Sequence, residues 1–233
     1  DKLTREHVRY NNRYGIAIAA DIYYAKDIDK NAKYPALINE GLEIREIDFQ
    51  NRASLEKAFA GIDTFVYVAS KTYSVFDRVG ELENVLAAMK TNGIKNLVAM
   101  SFIADQEDNP FVMSPFYGYL PRRLAGTDLN YAIAKNSLYA DPLVPYLPEL
   151  IERKGLIYPV GKQAMSFITL EDSAEAMATM ALNKDVLNSR RTYLLTQRRS
   201  YTMPELGAMG KTSAPGQLSI DDLRNAENYL EVK

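Results

Sequence analysis

Two tyrosine–cation spacings are the most specific chemical signals in this sequence. Tyr131 and Lys135 have the spacing Y-x-x-x-K, and Tyr119 and Arg123 have the spacing Y-x-x-x-R. In such a pair the tyrosine donates a proton while the cation stabilises the phenolate, which requires both side chains on one helix face. The segment LNYAIAKNSLY around Tyr131 is typical of a strand, where positions four apart lie about 13 Å apart. We therefore predict a structural Tyr131 and a catalytic pair of Tyr119 and Arg123, with an ordinary exposed helix face as the alternative for that second pair.

Other kinds of chemistry find little support in the sequence. The chain has no cysteine and one histidine, His7, which excludes disulfides, thiolate nucleophiles and zinc sites built on cysteine or several histidines. No G-x-S-x-G motif is present, so the serine of a hydrolase nucleophile elbow is missing. The segment 205–212 resembles the end of a P-loop, but Glu205 occupies the position of its first glycine.

The composition is that of an ordinary globular protein with a small-molecule partner. The chain has 233 residues, 47% of them hydrophobic, and a net charge of -2. This charge argues against nucleic acid as the main partner, because binding a phosphate backbone requires a basic face. No apolar run reaches the ~18 residues that span a membrane, and the polar N-terminus does not indicate a signal peptide. We expect a cytoplasmic protein and leave open whether it forms a homo-oligomer.

From residue 41 onward the sequence alternates between strand-like and helix-like segments. Nearly all-apolar runs such as DTFVYVAS are typical of strands that are covered on both faces. Strand–helix alternation at this spacing predicts an α/β fold with a mainly parallel sheet and helices on both of its faces. The predicted strands are 41–49, 63–70, 94–101, 129–139, two short strands between 156 and 170, and 191–197, and the predicted helices are 51–61, 77–93, 115–124, 144–155 and 172–183.

The N-terminal segment has a different pattern. Residues 8–24 alternate with a period of two on either side of a turn at Asn11–Gly15, which predicts a β-hairpin. The segment HVRYNNRYGIAIAADIYYAKDIDKNAKYPALI resembles the N-terminal hairpin and first strands of an α/β-hydrolase. We therefore divide the chain into a hairpin segment, 1–38, which is a candidate fusion, and a main domain, 39–233.

The main domain resembles the NmrA-like atypical short-chain dehydrogenases, including their NAD(P)H:quinone oxidoreductase subgroup. The resemblance covers about residues 40–206. It is carried by an ordered set of segments: GLEIREIDFQNRASLEKAFAGIDTFVYVAS, GIKNLVAMS, LAGTDLNYAIAKNSLY, MSFITLEDSAEAMA and RTYLLTQRRSYTMPEL. The resemblance implies a Rossmann-like fold that binds NADP or NAD. The family's glycine-rich G-x-x-G-x-x-G loop, whose backbone approaches the pyrophosphate, does not occur in the sequence.

The resemblance also assigns roles to residues at the ends of predicted strands, where ligands of open parallel sheets bind. Ser101, which ends a strand, joins Tyr119 and Arg123 as a candidate catalytic residue. Tyr117 and Tyr139 are the candidate substrate residues. The candidate cofactor-binding residues are Asp48, Phe49, Ala69, Ser70, Lys71, Phe102, Asn136 and Ser137.

Three functions are compatible with these features. The first is an NAD(P)-dependent oxidoreductase that reduces a quinone or a related carbonyl by hydride transfer, in which the cofactor supplies the reactive group. The second is a non-catalytic domain that has lost the cofactor loop and senses a small molecule or binds a protein. The third and least favoured is an esterase of the α/β-hydrolase type, for which His7 would be the sole available histidine.

Overall fold

The computed structural model describes residues 3–11, 17–25, 45, 47–143, 163–202 and 204–206. The predicted helix at 144–155 and the strand in the segment LIYPVG lie outside the described residues, as does most of the predicted strand at 41–49. The described residues of that segment, 45 and 47–49, are irregular, and the chain enters a turn at Phe49.

The predicted hairpin is confirmed as a pair of strands. Strand β1 (Leu3–Asn11) pairs antiparallel with β2 (Ala17–Ala25), with Leu3 opposite Ala25 and Asn11 opposite Ala17. The resemblance of this segment to a hydrolase and the division of the chain at residue 38 remain predictions.

The predicted strand–helix alternation is also confirmed. The described elements after the hairpin are α1 (Arg52–Ala58), β3 (Thr64–Tyr67), α2 (Val75–Thr91), β4 (Asn96–Phe102), α3 (Ser114–Ala125), β5 (Asn130–Asn136), β6 (Leu138–Tyr139), β7 (Phe167–Ile168), α4 (Leu170–Leu182), α5 (Lys184–Asn188) and β8 (Arg191–Leu195). Four of the strands form one sheet in the order β3-β4-β5-β8, and β6 pairs in parallel with β7.

The sheet is parallel where its register is defined, and both of its faces are covered. Strands β3 and β4 pair in parallel, from Thr64 opposite Asn96 to Tyr67 opposite Ala99. Leu97, Val98 and Ala99 are each fully buried, although successive strand residues point to opposite faces. The chain is therefore an α/β protein of the predicted class, with helices against its sheet.

Local signals in the sequence set the helix ends. Asn51 caps α1, where its side chain accepts a hydrogen bond from the Ser54 N–H, and Ser74 caps α2 through the Asp77 N–H. Gly93 follows α2 with φ of 69°, a conformation that glycine adopts without strain. Pro115 stands in the first turn of α3, but Met113 takes the cap position and makes no side-chain cap bond.

The chain divides into two compact units. Unit 1 comprises residues 1–135 and 175–193, and unit 2 comprises residues 136–174 and 194–233. In unit 1, helices α1, α2 and α3 pack against one sheet face around a core that includes Phe59, Leu82 and Phe116. In unit 2 a smaller cluster contains Ala140, Phe167, Tyr201 and Leu206. Within the described residues, no helix is both long and apolar enough to span a membrane.

Candidate functional site

The carboxyl end of β3 leads into a polar loop that contains three of the predicted cofactor residues. Ala69 and Ser70 are half-buried, and Lys71 is exposed. The Ser70 hydroxyl donates to Glu81 Oε2 over 2.6 Å and accepts from the Thr72 N–H over 3.3 Å. The structure thus orients Ser70 through contacts with the loop and with α2.

The carboxyl end of β4 carries a buried hydroxyl and an aromatic cluster. Ser101 is 2% exposed, and its Oγ has no hydrogen-bond partner among the described residues. The Phe102 ring centroid lies 5.7 Å from those of Phe111 and Tyr117, and the last two rings are stacked with an interplanar angle of 12°. The carboxyl end of β4 therefore carries an unused hydroxyl and a cluster of flat apolar rings.

Two of the candidate cofactor-binding residues, Asp48 and Phe49, have different environments. Asp48 is exposed, and its Oδ1 accepts from the Gln50 N–H over 2.9 Å. Phe49 is only 5% exposed, and its ring packs edge-on against Tyr67 with centroids 5.8 Å apart. The ring of Phe49 belongs to the core of unit 1, and a cofactor contact of this residue remains a prediction.

Unit 2 brings three of the predicted residues together at the end of β5. Asn136 Nδ2 donates to the Ser173 hydroxyl over 2.8 Å and to the Tyr139 hydroxyl over 2.9 Å. Asn136 and Ser137 are almost fully buried, and neither Asn136 Oδ1 nor Ser137 Oγ has a hydrogen-bond partner in the described part of the chain. This end of β5 therefore holds an unused carboxamide oxygen and an unused hydroxyl.

The predicted catalytic pair of Tyr119 and Arg123 lies on a helix, as expected, but it is engaged in an ion pair. Arg123 contacts Glu83 of α2 through two hydrogen bonds of 2.6 and 2.9 Å, and the Tyr119 hydroxyl donates to Glu83 Oε1 over 2.8 Å. Burial and the bond to Glu83 raise the pKa of Tyr119, opposite to what a proton donor near neutral pH requires. These side chains therefore join α2 to α3, and a catalytic role for the pair remains a prediction.

Arg123 also lines a cavity of about 900 Å³, which lies at the ends of the strands opposite to their carboxyl ends. Lys95 and Leu129, which immediately precede β4 and β5, line the same cavity. This is the amino-terminal edge of the strands, whereas ligands of open α/β sheets bind at the carboxyl ends. Its position gives a second reason to separate Arg123 from the candidate site.

Tyr131 and Lys135, which have the Y-x-x-x-K spacing, lie on a strand, as the sequence predicts. Tyr131 and Lys135 both lie on β5, and Tyr131 is 6% exposed within the core of unit 1. Lys135 forms an ion pair with Asp105. Because four residues of a strand extend about 13 Å, the two side chains do not form a catalytic pair.

Sequence reasoning missed two buried charged residues on α2. Arg78 is 6% exposed and Glu81 is 5% exposed. Both lie on the same buried stripe of α2 as Leu82 and Val85. The sequence could have indicated them, because they are charged residues at positions where the helical period predicts apolar ones. Charged side chains at such positions require polar partners, because burying a charge costs several kcal/mol.

The unpartnered groups at the strand ends provide a test of whether a nicotinamide cofactor fits. Buried polar atoms are normally hydrogen-bonded, and an unpaired one costs roughly 1–3 kcal/mol. Ser101 in unit 1, and Asn136 and Ser137 in unit 2, each carry such an atom at the end of a strand. In each unit taken by itself, these hydroxyl and carboxamide groups can pair with the hydroxyls or the amide of a nicotinamide nucleotide, so their chemistry fits such a cofactor. In the described residues, no group of acidic or histidine side chains could hold a metal ion.

Comparisons with known proteins agree with this chemistry. A family model described as NAD(P)H-binding matches residues 26–136, and its match begins within the predicted N-terminal segment. A nucleoside-diphosphate-sugar epimerase from Staphylococcus aureus is 34% identical, with a TM-score of 0.72, and the match covers 88% of this chain and 74% of that one. Quinone oxidoreductase 2 of Escherichia coli K12 is 22% identical over 202 residues, 87% of this chain and 69% of the relative.

A more distant solved structure has the same fold. The triphenylmethane reductase of a Citrobacter species is 22% identical, with a TM-score of 0.71, and the match covers 87% of this chain and 72% of that one. The sequence identity with the epimerase and the match to the family model extend the relationship beyond the fold. The chain therefore belongs to the NAD(P)H-binding, NmrA-like branch of the atypical short-chain dehydrogenases.

Proposed function

We propose that this protein binds NADPH or NADH and reduces a quinone or a related carbonyl compound. The observation that carries the proposal is that the carboxyl end of β4 carries both the unpartnered Ser101 hydroxyl and, through Phe102, the aromatic cluster of Phe102, Phe111 and Tyr117. Two related proteins also support the proposal. The Citrobacter reductase was solved with NADP(H), and an Escherichia coli quinone oxidoreductase was solved with NADPH.

The chain's own residues would bind the cofactor and substrate as follows. When bound, the nicotinamide supplies a hydride, and the reduced oxygen of the substrate takes its proton from water. Ser101 would donate a hydrogen bond to the substrate oxygen as its negative charge develops. Phe102 would pack against the nicotinamide ring, and Tyr117 would pack against a flat substrate.

The remaining candidate residues keep the roles that the family resemblance implies. In unit 1, Ser70 and Asp48 would bind hydroxyl groups of the cofactor, Ala69 would contact it, and the exposed Lys71 would neutralise a phosphate. In unit 2, Asn136 and Ser137 would bind the cofactor and Tyr139 the substrate. A phosphate contact from Lys71 matters here because the sequence lacks the glycine-rich loop.

The first test is cofactor binding to the whole chain. NADPH at about 100 times its dissociation constant should stabilise the protein by about 2.7 kcal/mol. For a chain of this size the melting temperature should rise by about 5–10 °C. Absence of any rise with both NADPH and NADH at millimolar concentration would refute the proposal.

The second test separates catalysis from binding. Ser101→Ala should lower kcat for a soluble benzoquinone by about 100-fold, the typical effect of removing one donor to a developing oxyanion. Lys135→Met is a matched control, because its ion pair with Asp105 belongs to neither proposed role. An unchanged kcat in Ser101→Ala would remove Ser101 from the reaction.

The missing glycine-rich loop favours one alternative, a cofactor-free domain that senses a small molecule or binds a protein. The same measurements distinguish the two functions. The alternative expects a folded protein that neither gains stability with NADPH nor oxidises it in the presence of any quinone.

A further inference from the structure

Two charged residues of α2 are buried without forming an ion pair. Arg78 and Glu81 are 6% and 5% exposed, and among the described residues neither has an oppositely charged side chain within ion-pair distance. The two side chains are three residues apart on α2, and the Arg78 guanidinium also lies 5.3 Å from the Phe116 ring centroid. Burying both side chains is nonetheless costly, because removing an ion from water costs several kcal/mol. A fold that needed only a packed helix here would place apolar residues at these positions, as it does at Leu82 and Val85.

Both charged groups contact the loop that follows β3. Arg78 Nη2 donates to the Thr72 carbonyl over 2.6 Å, and Glu81 Oε2 accepts from the Ser70 hydroxyl over 2.6 Å. The loop adds bonds of its own, from the Thr72 N–H to Ser70 Oγ over 3.3 Å and from the Ser74 N–H to Thr72 Oγ1 over 3.1 Å. The buried charges therefore fix the conformation of residues 70–74 from the helix side.

The exposed side of the same segment carries groups suited to a ligand. Lys71 is exposed, and Tyr73 and Phe76 are 74% and 87% exposed. Such exposure is costly for a phenylalanine, whose burial is worth about 1.5–3 kcal/mol. A segment that is held by buried charges on one side and presents a cation and aromatic rings on the other has the features of a binding surface.

The contacts also determine which hydrogen bond Ser70 can offer. Its one hydroxyl proton goes to Glu81, and one of its two lone pairs accepts from the Thr72 N–H. The remaining lone pair makes Ser70 an acceptor, and this side chain is half-buried at the carboxyl end of β3. A ligand group that meets it must therefore be a donor, such as a sugar hydroxyl or an amide N–H.

We propose that Glu81 is a positioning residue. It accepts the Ser70 hydroxyl proton and so leaves Ser70 as a hydrogen-bond acceptor for a donor group of the cofactor, while Arg78 holds the loop beside it. This inference rests on the proposed function. Glu81 itself does not touch the ligand, and its effect passes through Ser70. Removing either residue should therefore weaken the same contact.

The test is a double-mutant cycle read by NADPH affinity, measured by calorimetry on the full chain. Ser70→Ala and Glu81→Met should each raise Kd by about tenfold, the loss of roughly one hydrogen bond. The double variant should be no weaker than either single variant, because the two changes remove one interaction. Glu81→Gln, which keeps an acceptor oxygen and the side-chain volume, should restore part of the affinity.

Two further measurements separate positioning from a general loss of stability. Without NADPH, Glu81→Met should speed hydrogen exchange at the Thr72 and Ser74 amides, whereas Glu83→Gln on the same helix should leave that exchange and Kd unchanged. If the Kd effects of Ser70→Ala and Glu81→Met multiply, or if Glu81→Met leaves Kd unaltered, the inference fails while the proposed function stands. If the unmodified protein binds neither NADPH nor NADH, both fail.

Discussion

Arg190 has a strained backbone conformation, and substituting it tests whether its side-chain contacts offset that strain. It has a φ of 53°, the one positive φ at a non-glycine residue within the described part of the chain. Its Nη2 donates to the Thr127 carbonyl over 2.8 Å and the Ala125 carbonyl over 3.0 Å, and its guanidinium lies 5.1 Å from the Tyr131 ring centroid. The side chain thus satisfies carbonyls at the end of α3, which have no partner within the helix.

These contacts set the expected magnitude of two substitutions. Arg190→Ala loses two good charge-assisted hydrogen bonds and the cation–π contact, so we expect a loss of about 2–3 kcal/mol at this half-buried site. Arg190→Gly loses the same contacts but relieves the positive φ, which costs a non-glycine residue about 1–2 kcal/mol. Allowing for glycine's larger chain entropy in the unfolded state, Arg190→Gly should be more stable than Arg190→Ala by about 0.5–1 kcal/mol.

The assay is urea denaturation of the three proteins without cofactor, with the midpoints compared at a common slope. A glycine variant more stable than the alanine variant reverses the usual preference for alanine, which makes the result easy to read. Arg190→Ala equal to or more stable than Arg190→Gly would refute the claim that backbone strain is stored at this position. A loss below about 0.5 kcal/mol in both would refute the claim that the guanidinium stabilises the end of α3.

Two further predictions concern polar groups on the same sheet face. Partial burial acts to raise the pKa of Glu83, but hydrogen bonds from Arg123 and Tyr119 outweigh it, so the pKa is lowered. The stabilisation is therefore present above the unfolded carboxyl pKa of about 4.3 and is lost as the pH falls below it. Urea midpoints from pH 7 to pH 3 should fall less in Glu83→Gln than in the unmodified protein, and parallel curves would contradict this. Tyr67→Phe removes a buried hydroxyl without a partner, so its midpoint should stay equal or rise; a loss above about 1 kcal/mol would reveal a bond to an ordered water.

Periodic and local features were the part of the fold that the sequence could predict. The apolar stripe of α2, the near-continuous apolar run of β4, and the stop at Gly93 each depend on residues within a few positions of one another. The predicted helix at 77–93 shifts to Val75–Thr91, because Ser74, and no later residue, supplies the cap. The pair Ser114–Pro115 has the cap-then-proline pattern of a helix start, but Ser114 lies within α3 and is buried, and Met113 takes the cap position.

The candidate site was harder to predict, because its contacts join distant segments. Glu83 and Arg123 are 40 positions apart, and no local pattern indicates that this arginine binds a carboxylate of another helix. The Y-x-x-x-R spacing correctly placed Tyr119 and Arg123 on one helix, but it gave no information on what faced them. The positions of Ser101 and Asn136 at the carboxyl ends of strands were easier to predict, because the topology of a parallel sheet fixes where strands end whatever their neighbours are.

The unpartnered polar atoms indicate a functional site, because they do not add to the stability of the fold. Ser101 lies in a strand whose other inward-facing residues, Leu97 and Ala99, are apolar and fully buried. A hydroxyl at that position costs the free protein stability that alanine would not cost. Real proteins break the rule that buried polar groups are paired mainly at functional sites. Ser101→Ala should accordingly change stability and turnover in opposite directions, and a substitution that lowered both would point to a hydrogen bond within the protein itself.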